Sequence, residues 1–189
     1  MIKFLLLAIA LISAAHASEQ PSDTVESFFN GLIHERFENR FGLNKGNQFN
    51  LMSEQLRQLA TAVECNEAHA PIPKGPALKP PPYSSADAET VFDRWDTPTA
   101  CSITGSKVGR DHGLVDVKCS WDGTTDHPAG ESMQLHVVLE RERNRWVISN
   151  VHHGEQTDGA NTANDLLGRL RIGANYQPIP RACRRYHSQ

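Results

Sequence analysis

Apolar side chains recur every three or four residues along two stretches of the first half of the chain. Within residues 24–37 the apolar positions are Val25, Phe28, Phe29, Leu32, Ile33 and Phe37. Within residues 52–65 they are Leu56, Leu59, Ala60 and Val63, and Ser53 stands in the position of an N-cap. This spacing predicts two amphipathic helices, each with one buried face.

In the second half of the chain the hydrophobic period changes to two. Apolar and polar residues alternate in residues 115–121 and 133–139, and turn-forming residues occupy 109–113 and 142–144. Trp146 and Ile148 share one strand face but Val151 has the opposite parity, which predicts a β-bulge near Ser149–Asn150. Helices followed by antiparallel strands predict an α+β fold, with the N-terminal helices packed on a curved antiparallel sheet.

The composition along the chain divides it into segments. Residues 69–85 contain six prolines and predict an extended surface loop. We therefore expect one α+β domain over residues 18–153 that includes this Pro-rich loop, followed by a C-terminal extension over residues 154–189. The extension contains a short predicted helix at 164–170. Asp165 is the last acidic residue of the chain, and five arginines follow it, although the formal net charge of the whole chain is −3.

The first 17 residues have the features of a secretory signal peptide. Lys3 precedes a short apolar run, and Ala15-His16-Ala17 fits the small-x-small cleavage rule. The apolar run is shorter than the roughly 20 residues of a membrane-spanning helix. The sequence therefore predicts export to the periplasm or secretion, without a membrane anchor.

Four cysteines, Cys65, Cys101, Cys119 and Cys183, permit three disulfide pairings. An even number of cysteines in an exported chain favours disulfides over zinc, and no CxxC pair is present. Cys101 and Cys119 flank a predicted hairpin and can therefore face each other across its two strands. That pairing leaves Cys65 with Cys183, which would tie the C-terminal segment to the end of the second helix.

Among polar residues, Asp93 and His136 are the candidate general bases. Asp93 lies two residues before Trp95, and a carboxylate beside an indole can acquire catalytic basicity. His136 lies on the more polar face of its predicted strand. His152 and His153 are adjacent on a strand and point to opposite sides, so the pair does not suit a single metal ion. The sequence contains no GxSxG, HExxH, P-loop or GxGxxG motif.

The order of two helices, a variable loop and a strand meander resembles the nuclear-transport-factor-2-like (cystatin-like cone) superfamily. The resemblance covers about residues 25–151 and rests on the strand Leu135–Leu139, a polar turn, and the ending Trp146-x-Ile148-x-x-Val151. The Phe92-Asp93-x-Trp95 segment resembles a bacterial exported branch of that superfamily. The resemblance implies a conical α+β barrel around the first helix, and many members form homodimers through the open sheet face.

That superfamily includes binding proteins, immunity proteins, isomerases and dehydratases, so the fold alone does not assign a function. Its enzymes often carry a tyrosine on the first helix, whereas the first tyrosine after residue 17 is Tyr83. We expect an exported non-catalytic binding protein for a protein partner or a small apolar ligand, one form being an immunity-type inhibitor of a secreted toxin. The residues expected to line its site are Phe29, Ile33, Trp95 and Trp146. The alternative is a small-pocket isomerase or dehydratase that uses Asp93 or His136. Neither reading requires a cofactor, a metal or nucleic acid.

Overall fold

Four antiparallel strands follow one another along the chain and form one sheet in the same order. The computed structural model describes residues 20–34, 47–69, 88–92, 97–123, 130–154, 165–175 and 179–186. Its strands are β1 (Ala100–Val108), β2 (His112–Ser120), β3 (Ser132–Glu142) and β4 (Arg145–His153). The sheet is open, because β1 and β4 lie at its two ends. In the part of the chain that the structure describes, the sheet does not close into the conical barrel that the resemblance implies, so that expectation is corrected.

The helices are α1 (Pro21–His34), α2 (Asn47–Asn50), α3 (Glu54–His69), α4 (Ala88–Phe92) and α5 (Leu166–Ala174), followed by a 3₁₀ helix at Arg181–Tyr186. The predicted helices at 24–37 and 52–65 correspond to α1 and α3, and Ser53 Oγ accepts a hydrogen bond from the Leu56 N–H at 3.3 Å, as an N-cap does. The predicted signal peptide, residues 70–85 of the Pro-rich loop, and both Asp93 and Trp95 lie outside the described residues.

The apolar face of α1 packs against one face of the sheet. Phe28 and Phe29 are buried and meet edge to face, with their ring centroids 5.4 Å apart. The buried sheet residues alternate along the strands and belong to the same core: Val115, Val117, Leu135, Val137 and Leu139. The structure is therefore α+β with the N-terminal helix on an antiparallel sheet, and the period-two pattern of the second half is explained by this single buried face.

A β-bulge in β4 changes the register between β3 and β4. Leu139 pairs with Ile148 whereas Val138 pairs with Asn150, so Ser149 is the extra residue. This confirms the bulge expected near Ser149–Asn150. Because the bulge reverses the parity of the strand, Ile148 and Val151 both reach the core.

The two disulfides join Cys65 to Cys183 and Cys101 to Cys119, which confirms the pairing favoured by the sequence. The first bond connects the last turns of α3 to the 3₁₀ helix, and the second joins directly opposite residues of β1 and β2. Leu166, Leu170 and Ala174, from the segment predicted as an extension, belong to the same core as residues of α1 and α3, and Cys183 is also buried. Among the described helices none is long and apolar enough to cross a bilayer.

Candidate functional site

A groove runs between α1 and β1 at one side of the sheet. Its volume is about 330 Å³, and the apolar side chains of Val25, Phe29, Ile103 and Val117 contribute to its walls. Polar residues of both elements complete the lining: Glu26, Asn30 and Ser102. The disulfide partner Cys101 also lines the groove, so the bond to Cys119 fixes one wall of it.

The groove contains one of the four residues expected to bind a ligand. Phe29 lines it, whereas Ile33 and Trp146 are buried elsewhere in the described structure. The Trp146 ring lies 5.1 Å from the Arg141 guanidinium, a cation–π contact at the opposite end of the sheet order. Trp95 lies outside the described residues. The apolar face of α1 is thus mostly committed to the core, and only its edge meets the groove.

The two edges of the sheet differ. At the outer edge of β4, the Ile148 N–H donates to Leu51 O and Ile148 O accepts from the Ser53 N–H, both at 2.8 Å. Within the described parts of the chain, no segment pairs with the outer edge of β1. The residues of β1 are half-buried or exposed, and Val108 is the exposed large hydrophobic residue, at 49%. The edge beside the groove therefore keeps unpaired backbone groups.

A second cleft lies between α3 and α5, with a volume of about 570 Å³. Its lining includes charged and amide side chains from both helices, among them Glu54, Gln58 and Arg171. Unlike the groove at β1, it lies beside helices whose backbone groups are hydrogen-bonded within the helix. It offers a polar surface but no strand edge.

The sheet face turned away from α1 carries a row of polar side chains across β2, β3 and β4. Asp116 pairs with His136, and His136 pairs with His152, in direct cross-strand register. His136 Nδ1 lies 2.6 Å from Asp116 Oδ1, and these side chains are 19% and 33% exposed. His152 Nδ1 lies 4.0 Å from Asp165 Oδ2, just before α5. His136, one of the two candidate bases, thus belongs to a row of two histidines and two carboxylates.

His153 points to the other side of β4, as expected for neighbours on a strand. His153 Nε2 lies 2.7 Å from Val91 O and 3.0 Å from Arg169 Nη1. Arg169 is fully buried and its Nη1 also donates to Thr90 O at 3.0 Å. This cluster joins α4, α5 and β4, so His153 has a structural role while His152 faces outward.

His136 is a candidate from the sequence, whereas Asp116, His152 and Asp165 are identified as its neighbours in the row only by the structure. Asp116 is visible in the sequence as a polar residue of an alternating strand, and Asp165 as a helix N-cap, whose Oδ1 accepts from the Gly168 N–H at 2.6 Å. The cross-strand register was the missing information. The β3–β4 turn and the predicted bulge together place His152 opposite His136, but nothing in the sequence sets the register of β2 against β3 that brings Asp116 to His136.

Comparisons of the chain with protein-family models, with curated proteins and with solved structures found no match.

Proposed function

We propose that this chain is an exported binding protein that receives an extended segment of a partner protein along the free edge of β1. The observation that carries the proposal is an unpaired edge strand, in the described part of the sheet, directly beside a groove with apolar walls. In this binding mode the partner's backbone extends the sheet, and alternate side chains enter pockets next to it. The partner segment therefore carries an apolar side chain at the position that meets Phe29 and Ile103.

The backbone groups of β1 favour a polypeptide over other ligands. Every second residue of an edge strand directs its N–H and C=O away from the sheet, and another strand satisfies both. The bulge in β1, between Ile103 and Gly105, interrupts this regular pattern. We therefore place the contact along Ala100–Ile103, which is the part of β1 that borders the groove.

The size of the groove also favours an apolar side chain of a protein over a free small ligand. Its volume of about 330 Å³ lies at the lower end of the 300–1,000 Å³ or so typical of drug-sized ligand sites. One large apolar side chain, held by strand pairing on either side, fits that volume. The Cys101–Cys119 bond holds β1 against β2 before binding, which lowers the conformational cost of association.

The proposal also includes the location of the protein and the superfamily to which it is related. The signal-like first 17 residues and the two disulfides are compatible with a periplasmic or secreted protein. We also propose a relationship to the nuclear-transport-factor-2-like superfamily, whose immunity-type inhibitors bind secreted toxins, and the packing of α1 on the sheet is the observation that supports it. The isomerase or dehydratase alternative has less support, because His136 lies on the sheet face opposite the groove and is in contact with Asp116 rather than with a closed cavity.

The substitution Asn30→Trp tests the groove. Asn30 is exposed on α1 and lines the groove, so an indole there fills the space that the partner's side chain needs. Peptides selected from a displayed library of random extended segments provide the probe. We expect Asn30→Trp to weaken their binding at least tenfold, or about 1.4 kcal/mol, in a fluorescence titration.

Ser27→Trp is the matched control, since Ser27 is also an exposed polar residue of α1 but does not line the groove. Its effect on peptide affinity is expected to stay within about twofold. Hydrogen exchange supplies a second readout, because strand addition protects the amides of residues 100–103. Equal losses in the two variants, or peptide-induced protection confined to other strands, would contradict the proposal.

A further inference from the structure

We propose that His136 and His152 together bind a divalent transition-metal ion of the Zn²⁺ or Cu²⁺ type on the outer face of the sheet. This inference does not depend on partner binding at β1, because the groove lies on the α1 side of the sheet and the two histidines lie on its opposite face. Imidazole nitrogen is a preferred ligand of both metals, whereas Mg²⁺ and Ca²⁺ prefer oxygen. The chain supplies two nitrogens, and water fills the remaining coordination positions.

The bulge at Ser149 creates the histidine pair. On the turn side of the bulge Glu142 pairs with Arg145, and beyond it His136 pairs with His152. Without the extra residue, His136 would stand opposite Val151. Directly opposite residues of an antiparallel pair have Cβ atoms about 5 Å apart and share one face, so the bulge brings the two imidazoles within reach of one ion.

Asp116 fixes the orientation of His136. A carboxylate only accepts hydrogen bonds, so the contact of 2.6 Å requires His136 Nδ1 to be the donor. In the neutral ring the other nitrogen, Nε2, then carries the lone pair. In many metal sites a carboxylate holds one imidazole nitrogen of a histidine while the other nitrogen binds the metal.

Gly105 on the adjacent strand leaves open the space that the Asp116 carboxylate occupies. Gly105 pairs with Asp116, and a Cβ on this glycine would lie 2.9 Å from Asp116 Oδ2. Any larger residue would therefore displace the carboxylate that orients His136. The glycine at this position leaves room for the carboxylate to lie over β1.

His152 has two polar neighbours, Asn150 and Asp165, both at longer distances than the Asp116 contact of His136. Asn150 Oδ1 accepts from the N–H groups of Val151 and Leu167, at 2.9 and 3.0 Å, which places its Nδ2 donor toward His152 Nε2 at 3.5 Å. Because an amide NH2 only donates, this contact is consistent with the lone pair on Nε2 and the proton on Nδ1, and the Asp165 carboxylate 4.0 Å from Nδ1 adds electrostatic attraction. The contact between Nδ2 and Nε2 is long and weak, so a metal ion displaces it at little cost.

The experiment is a Cu²⁺ titration of the oxidised, full-length protein, followed by electron paramagnetic resonance and by competition with Zn²⁺. We expect the protein to bind one equivalent of Cu²⁺, with a spectrum that shows coupling to two imidazole nitrogens. Because Cu²⁺ is bound more tightly than Zn²⁺, its displacement requires an excess of Zn²⁺. His136→Gln and His152→Gln are each expected to lower Cu²⁺ affinity by more than about tenfold. His112→Gln, at an exposed histidine of β2, is the matched control and leaves the affinity unchanged.

Asp116→Ala provides a second variant that retains both nitrogens. It is expected to lower Cu²⁺ affinity by about 10- to 100-fold while the two-nitrogen spectrum persists, because Asp116 positions His136 and is not itself the ligand. Asp111→Ala, at an exposed turn carboxylate, is its control. The proposal is overturned if Cu²⁺ binding survives in the double variant of His136 and His152, or if His112→Gln removes it equally.

Discussion

Replacing Cys65 and Cys183 together by alanine is expected to lower the free energy of unfolding by about 5 kcal/mol. The bond closes a loop with a sequence separation of 118 residues, and the chain-entropy model gives about 4.7 kcal/mol for a loop of 100. Buried Cys183 and residues of the 3₁₀ helix also pack against α3, and this contact is held by the bond. At this chain length the loss corresponds to a fall in Tm of about 10–20 °C.

The matched control is the double substitution of Cys101 and Cys119. That bond closes a loop with a sequence separation of only 18 residues, so the expected loss is about 3 kcal/mol. Denaturant unfolding of both variants, without reductant, measures the difference. A loss for the Cys65–Cys183 pair equal to or smaller than the loss for the Cys101–Cys119 pair would show that the longer loop is not what gives the first bond its larger effect.

The substitution Arg169→Met is expected to cost about 1.5–3 kcal/mol, which is the range for hydrogen bonds that involve a charged group. The Arg169 guanidinium donates to Thr90 O at 3.0 Å and lies 3.0 Å from His153 Nε2. Methionine preserves much of the side-chain volume but removes the guanidinium that donates to the buried Thr90 carbonyl. Because the network joins α4 and α5 to β4, the loss should also increase hydrogen exchange in α4.

Arg171→Met on the same helix is the matched control. Arg171 is exposed, and substitutions at such positions usually change stability by less than about 0.5 kcal/mol. Thermal unfolding of the two variants, followed by circular dichroism, separates a buried network from a general effect of removing a positive charge. Similar Tm values for the two variants would refute the role assigned to Arg169.

Local patterns predicted the elements that are governed by local physics. The period of Phe28 and Leu32 predicted α1, and the parity mismatch of Val151 predicted the bulge, since each depends only on which side chains must reach the core. The cysteine pairing was also accessible, because a hairpin places Cys101 opposite Cys119.

The polar row was not accessible from the sequence, because it depends on the relation between strands. His136 was considered alone, and its contact with Asp116 requires the register of β2 and β3. The role of Arg169 was equally hidden: an arginine in a basic segment looks solvent-exposed, and only the packing of α5 beside α4 buries it. The groove depends on how α1 lies across β1, which the apolar pattern of α1 does not specify.

The difference between the two sheet edges limits how copies of the folded chain can assemble. Leu51 and Ser53 occupy the outer side of β4, so in the described structure the sheet can accept a new neighbour only along β1. Two copies that met through β1 would form a continuous eight-stranded sheet around a two-fold axis, with both of its ends capped. Edge-to-edge association of native molecules would therefore stop at a pair and would not propagate into a fibre.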